Sequence, residues 1–568
     1  MFASLANLMR ELKRISSIIR LTYLPASPLK SLVRWKFQRT GPVCMHFPSS
    51  NRLVACLVLT GHCLLTLPDS LGRPLLPTTP FHPAQEREHP EEEARLREAF
   101  KRAPNDPSYA ARLGSLLSAQ NKLPEAALFF EKALKLDPGN IDIRRDLAAA
   151  YWQLGKLADA RKNLESVLKA RPGDTWGILL LGMVSEDLGD HQRAAKLLAD
   201  VIPLVRQRPE TIDSLARAYY HLGQTDKARN TLEMLVGHPA GPEAVFQGGQ
   251  LAAEFKDYET AQNLFTSVKD TYPDSAVLNY NIALAQFSAK HYQESEKTLT
   301  ASIGYGHGTA DTYALLGWIY AKQDHPPEML QAFEKAINME PSNPAHFLDL
   351  GDALLEKMNY GTALAVANEA VKRFPSLSRA YSLKGSVELK LYLLTEALKS
   401  YSAAIDLDPN DPKAALGLAL TQWNANQNEE AAKSFKEVAR KFPRVAFFLM
   451  KHAIFLLNSS DERNAEREAR IRVLLKRSEE LDDSIAETHF QLGNLAMEAN
   501  IYAEALNELQ LAAKIDPELP KVHFALARLY RRVGRPEEAE KETELHRKLK
   551  EKDEQNAEVN AAIGTRHP

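Results

Sequence analysis

The sequence predicts an all-α chain, an α-solenoid of about thirteen helical hairpins. Three observations carry this. A proline recurs at a fixed step, at Pro104, Pro138, Pro172, Pro239, Pro273, Pro341, Pro375, Pro409, Pro443 and Pro517. Most gaps are 34 residues; 172 to 239 is 34 plus 33, 273 to 341 holds His307 in the middle slot, and 443 to 517 is 34 plus 40. In every unit the eighth position is Gly or Ala, from Gly114 and Ala148 to Gly493 and Ala527, and the twentieth is Ala in ten of thirteen. The twenty-fourth is usually large, as at Phe130, Phe265, Phe333, Tyr401 and Phe435. Such a period belongs to stacked units, each unable to bury its apolar face alone.

The unit is clearest at 107–140, PSYAARLGSLLSAQNKLPEAALFFEKALKLDPGN. Tyr109, Leu113, Leu116 and Leu117 fall at helical spacing. Asn121-Lys122 interrupts the helix, and Pro124 suits the first turn of a second one, where a missing N–H costs little. Leu128, Phe129, Ala133 and Leu134 give that helix an apolar stripe. Asp137-Pro138 stops it, because the residue before proline is pushed out of the α region.

The chain resembles the tetratricopeptide repeat family at this point. Tyr313, Leu316, Gly317, Tyr320, Phe333, Ala336 and Pro341 match the family's motif, with Met329 where Ala is usual. The likeness covers roughly residues 91 to 552. It implies a right-handed superhelix whose concave side is lined by the first helix of each hairpin and holds partner proteins or peptides.

Residues 1–44 carry eight Lys/Arg against Glu11, with Leu5, Leu8, Leu12, Ile15, Ile18 and Ile19 on one helical face. This reads either as a basic amphipathic leader or as sequence upstream of a true start at Met45. From Met45, Arg52 precedes the apolar run Leu53 to Leu67, then Pro68 and the small residues Ser70 and Gly72. Fifteen residues fit a secretory signal and are short of the roughly 20 that a spanning helix needs. The expectation is cleavage after Gly72 and a periplasmic or secreted protein; the alternative is a retained inner-membrane anchor. Residues 73–90 hold five prolines and read as an extended spacer.

Residues 91–102 form a lone helix that caps the first hairpin, and thirteen hairpins follow. Gly304-Tyr305-Gly306-His307-Gly308 replaces a proline stop and reads as a loose turn, since no strand precedes it and no Gly-Lys-Ser/Thr follows. Pro326-Pro327 stiffens an inner turn. Asn458 to Asn464 carries a six-residue excess and reads as a surface loop. The last helix, from Pro536 to about Asp553, is charged nearly all round and supplies the polar closing face a solenoid needs; 553–568 reads as a disordered tail.

Composition limits the chemistry. Net charge is −2, split as +8 over residues 1–52 and −10 over the rest, which argues against nucleic acid as a partner. The three cysteines precede the repeats, so the solenoid has no thiolate site. No histidine pair has HxxH or HExxH spacing and no nucleophile elbow occurs, so catalytic residues, cofactors and metal ligands are not expected. What remains is surface. The resemblance places the second, fifth, ninth, twelfth and thirteenth positions of each first helix on the groove. These give Trp152, Tyr220, Phe246, Tyr280, Phe287, Trp318, Trp423, Phe490 and Phe524 as anchors, with Asn494, Arg528, Arg531 and Arg532 as a cationic patch at the C-terminal end. Each aromatic could instead pack between adjacent hairpins. The expected function is a non-catalytic interaction scaffold, or an assembly subunit of an envelope export or polysaccharide-synthesis complex.

Overall fold

The computed structural model describes residues 90–459 and 465–564. The leader and most of the proline-rich spacer lie outside the described residues, as do 460–464 of the polar insertion. Among the described residues every regular element is helical: a single helix, Pro90–Arg102, then thirteen hairpins. The first hairpin pairs Pro107–Ala119 with Leu123–Leu136, and the thirteenth pairs Pro520–Arg532 with Pro536–Gly564. This is the α-solenoid the period predicts.

Local chemistry sets the helix ends. Asp106, Asn140, Asp274, Asn343 and Asp411 cap first helices by accepting backbone N–H bonds. The inner turns share one device that the sequence does not advertise. At a 33- or 34-residue step, Asn121, Gly155, Gly189, Gly223, Lys256, Lys290, Asp324, Met358, Tyr392 and Asn426 all have positive φ, and Asn500 and Gly534 continue the series. In hairpin two the N–H of Gly155 reaches Trp152 O and that of Lys156 reaches Tyr151 O, which closes the helix as a Schellman motif. Most of these residues are not glycine, so the turn geometry is held by the packing of the two helices and overrides residue preference.

The eighth and twenty-fourth positions prove to be partners. A Cβ on Gly114, Gly182, Gly249, Gly317, Gly385 or Gly493 would fall 3.0 Å or less from the residue sixteen further on: Phe130, Leu198, Phe265, Phe333, Tyr401 or Leu509. The small residue makes room for the large one, and these six large side chains are buried. At the N-terminal end, Phe100 meets Phe129 edge-on at 5.6 Å, and Arg97 and Lys122 tie the single helix to hairpin one through Glu125 and Glu93.

Departures from the pattern have local causes. The glycine-rich stop is a turn with Gly306 at φ +85°, after which Thr309 and Thr312 form a reciprocal capping box. In hairpin three the second helix ends at Asp200 and steps through Ile202–Val205, because Pro203 cannot continue the ladder. In hairpin four the second helix, Thr225–Leu232, tightens into a 3₁₀ turn at Glu233–Leu235. In hairpin eleven part of the insertion lengthens the second helix, Ala465–Leu481, to 17 residues. The last helix runs to Gly564, past the end expected near Asp553. From Glu540 to Lys552 it buries no side chain, as a closing face should. No helix of the described residues is long and apolar enough to cross a membrane.

Candidate partner-binding groove

The structure divides the sequence-selected aromatics into two sets. Trp152, Tyr220, Phe246, Phe287 and Trp318 are buried. Trp152 Nε1 donates to Asp187 at 2.5 Å and Tyr220 OH to Asp257 at 3.0 Å, in each case one hairpin further on. Phe246 stacks on Tyr272 at 4.6 Å, Phe287 lies 5.5 Å from Tyr292, and Trp318 meets Phe333 edge-on at 6.0 Å. Trp152 and Tyr220 thus join hairpins, whereas Phe246, Phe287 and Trp318 pack within their own. Tyr280 and Trp423 are half-buried, and Trp423 meets Phe455 of the next hairpin edge-on at 5.6 Å. Of the twelfth-position rings, Trp152, Tyr220 and Trp423 meet the next hairpin, whereas Phe287 packs on Tyr292 of its own hairpin.

The C-terminal end differs. Phe524 is 48% exposed, and Arg528, Arg531 and Arg532 are exposed beside it on helix Pro520–Arg532. The Arg528 guanidinium sits 5.8 Å over the Phe524 ring, whose other neighbour is His546 at 5.3 Å. One hairpin earlier, half-buried Phe490 lies 4.9 Å under the Lys521 ammonium, and Lys521 also pairs with Glu487. Asn494 is half-buried one turn beyond Phe490. Arg531 turns to its own hairpin and donates to Thr543 Oγ1 at 2.7 Å. Two aromatic–cation pairs thus stand a repeat apart, each with a ring that an apolar side chain could cover; Arg528 offers a cation that a carboxylate could meet, whereas Lys521 already meets Glu487.

Three aspartates of other first helices are shifted by burial. Burial pushes Asp146 up to about 6 against the pull of Arg145, and pushes Asp213 and Asp349 up to about 7. Asp213 Oδ1 is buried with no hydrogen-bond partner. Asp352 raises Asp349 further, and Arg217 and Arg379 only partly offset the burial of Asp213 and Asp349.

Among the described residues two trios have donor atoms close enough to hold a metal ion: Glu479, His489 and Glu508, and Glu186, His191 and His221. The first trio is already closed. His489 is fully buried, its Nδ1 is 2.8 Å from Glu508 Oε2, and its Nε2 is 2.8 Å from the Asp483 carbonyl. Lys476 bonds both Glu508 and Glu479 at 3.0 Å. Burial opposes charge on His489, but the bonds to Glu508 and Asp483 outweigh it and leave the imidazole above its ordinary range. Hairpin thirteen repeats the motif, with His523 2.7 Å from Glu542 and 2.9 Å from the Pro517 carbonyl. A histidine at the fourth position with glutamate nineteen residues on is the sequence signal for this dyad, and it was readable only once the register was known.

Tetratricopeptide repeat models match residues 92–141, 314–378, 348–412 and 382–446, residues 117–181, residues 214–238 and 243–275, and residues 520–541. Over 295 residues the chain is 24% identical to protein O-mannosyl-transferase TMTC3 of Homo sapiens, covering 49% of this chain and 32% of that protein. It is 20% identical over 313 residues to BBSome complex member BBS4 of Bos taurus, covering 55% and 54%. It is 22% identical over 389 residues to cellulose synthase operon protein C of Pseudomonas fluorescens (strain SBW25), covering 63% and 30%. The chain therefore spans about a third to a half of the length of these relatives. Among solved structures, yeast Tom70 aligns with 81% of this chain and 97% of its own at a TM-score of 0.37 and 16% identity. The Cut9–Hcn1 hetero-tetramer of the APC/C aligns with 77% and 98% at a TM-score of 0.35 and 16% identity. The repeat matches run along the described solenoid from its first helix to its last hairpin, and the chain belongs to the tetratricopeptide repeat family.

Proposed function

We propose that this chain is a non-catalytic scaffold that holds extended or helical segments of partner proteins along its first helices. The preferred contact is the C-terminal end, and the partner segment there carries apolar and acidic side chains. The observation that carries this is the pair of aromatic–cation sites at Phe490 with Lys521 and Phe524 with Arg528. Most other selected rings are buried or half-buried in packing within or between hairpins, whereas Phe524 is left open beside three exposed arginines. Large, rigid aromatics and arginines dominate binding energy at protein interfaces.

The likeness to cellulose synthase operon protein C favours a second reading, an assembly subunit of an envelope polysaccharide or export complex. The apolar run at 53–67 supports export to the periplasm or anchoring at the inner membrane. Both readings share a test. A photo-crosslinking residue at Arg532, on a first helix, is compared with one at Lys514, on a second helix, in cells of the native host. Crosslinked partners are expected from position 532 and absent from 514. Equal capture from both positions, or capture from 514 alone, would overturn groove binding.

A further inference from the structure

The step from hairpin three to hairpin four gathers three side chains that no short motif links. Glu186 sits in the last turn of Thr175–Asp187, His191 opens His191–Asp200, and His221 closes Pro209–His221. The two imidazoles stack at 3.9 Å with their planes 13° apart. His191 Nδ1 is 3.9 Å from Glu186 Oε1, and one donor atom from each of the three lies within 4.8 Å of the others. Independently, His191 Nδ1 is buried and has no hydrogen-bond partner. A buried polar atom left unpaired carries a desolvation penalty that a bound cation would relieve.

We propose that Glu186, His191 and His221 bind one divalent transition-metal ion of the zinc class, as three protein ligands with a fourth position open to solvent. Two imidazoles and one carboxylate suit zinc, whereas magnesium and calcium favour all-oxygen sets. Bonds of about 2.0–2.2 Å in a tetrahedral arrangement place donor atoms roughly 3.3 Å apart. The trio must therefore contract by about an ångström, and His221, which is exposed, can turn out of the stack to do so. The ends of Thr175–Asp187 and Pro209–His221 also bring the negative poles of two helices to the ion. The charged groups facing the histidines are Asp190, Glu254 and Arg217, and Arg217 is paired with Glu254 at 2.8 Å. The bound ion would tie hairpin three to hairpin four at the inner turn of hairpin three, where helix Thr175–Asp187 passes into His191–Asp200. The Glu479–His489–Glu508 trio is not a rival site, since both its ring nitrogens are engaged and Lys476 occupies its carboxylates.

The test is calorimetric titration of the chelator-treated full chain with zinc chloride. His46, His62 and the three cysteines of the first 72 residues can also take zinc, so the decisive quantity is the difference between chains. Wild type is expected to bind one equivalent more than His221→Gln, and Glu186→Gln to weaken that same event by at least about tenfold. His291→Gln, away from the trio, should match wild type, and magnesium chloride should give no binding heat. Circular dichroism confirms that each variant is folded. Identical stoichiometry and affinity in wild type and folded His221→Gln, or an equal loss in His291→Gln, would overturn the site.

Discussion

Placing a side chain at Gly317 perturbs the contact that sets the helix crossing in hairpin seven. A Cβ there would lie 2.6 Å from two ring carbons of Phe333 and 2.8 Å from its Cγ. Carbon atoms pack best at about 3.5–4.0 Å. Phe333 cannot retreat, because it is fully buried and Trp318 abuts it edge-on. Gly317→Ala gains about 1 kcal/mol of helix propensity and loses about 1–3 kcal/mol to overpacking. Gly317→Leu adds three more carbons with no further propensity gain, so its net loss should approach about 3 kcal/mol. Phe333→Ala alone leaves a cavity and should cost about 3–5 kcal/mol. In the double variant the leucine grows into the space the ring vacates, so its cost should fall below the sum of the singles by about 1–3 kcal/mol. A thirteen-hairpin array is not expected to unfold in two states, so the assay is native-state hydrogen exchange. Amides in Ala310–Lys322 and Pro326–Met339 should open faster in Gly317→Leu, while those of hairpins one and two stay unchanged. Unaltered protection in hairpin seven, or strictly additive costs in the double variant, would refute the small–large pairing.

Three further outcomes follow from the structure. Met358 occupies the left-handed position of its inner turn at φ +54° and is exposed, so Met358→Gly should stabilise hairpin eight by about 1 kcal/mol, read as slower exchange in Pro344–Glu356. Asp213 and Asp349 titrate near 7 in the folded chain against 3.8 for the free side chain, so their contribution is complete below about pH 4 and is lost as pH rises through about 7. Asp213→Asn and Asp349→Asn should therefore raise the melting temperature relative to wild type at pH 8 and lose most of that advantage at pH 4; a constant advantage at both pH values would contradict the assignment. Export predicts a mature chain beginning near Arg73, checked by N-terminal sequencing of fractionated cells; intact chain from the soluble cytoplasm would refute it, and intact chain in the membrane fraction would favour an anchor.

The fold was legible because proline stops and small eighth positions report backbone geometry, which neighbouring hairpins cannot change. The pairing of Gly317 with Phe333 was half legible: each residue stood out, but only the helix crossing joins them. Pro203 marks the break after Asp200 but lies off the 34-residue register, so the period does not single it out. The left-handed turns at Lys256, Met358 and Tyr392 carry no residue signal, since packing imposes them. The groove was the least legible feature. Periodicity places Trp152, Tyr220 and Phe524 on related positions of first helices, but whether a ring meets solvent depends on the hairpin that follows. Trp152 and Tyr220 each find an aspartate there, whereas Phe524 stands in the thirteenth hairpin, the last of the described residues, and is left exposed. Glu186, His191 and His221 share no short sequence spacing, because the third member comes from the next repeat.

Groove binding at the C-terminal end is tested most directly by hydrogen exchange of the chain alone and bound to a partner recovered by crosslinking at position 532. The expected result is protection confined to the first helices Ala486–Glu498 and Pro520–Arg532, with the protection abolished in Phe524→Ala. Protection confined to second helices such as Tyr502–Ile515, or binding unaffected by Phe524→Ala, would contradict it.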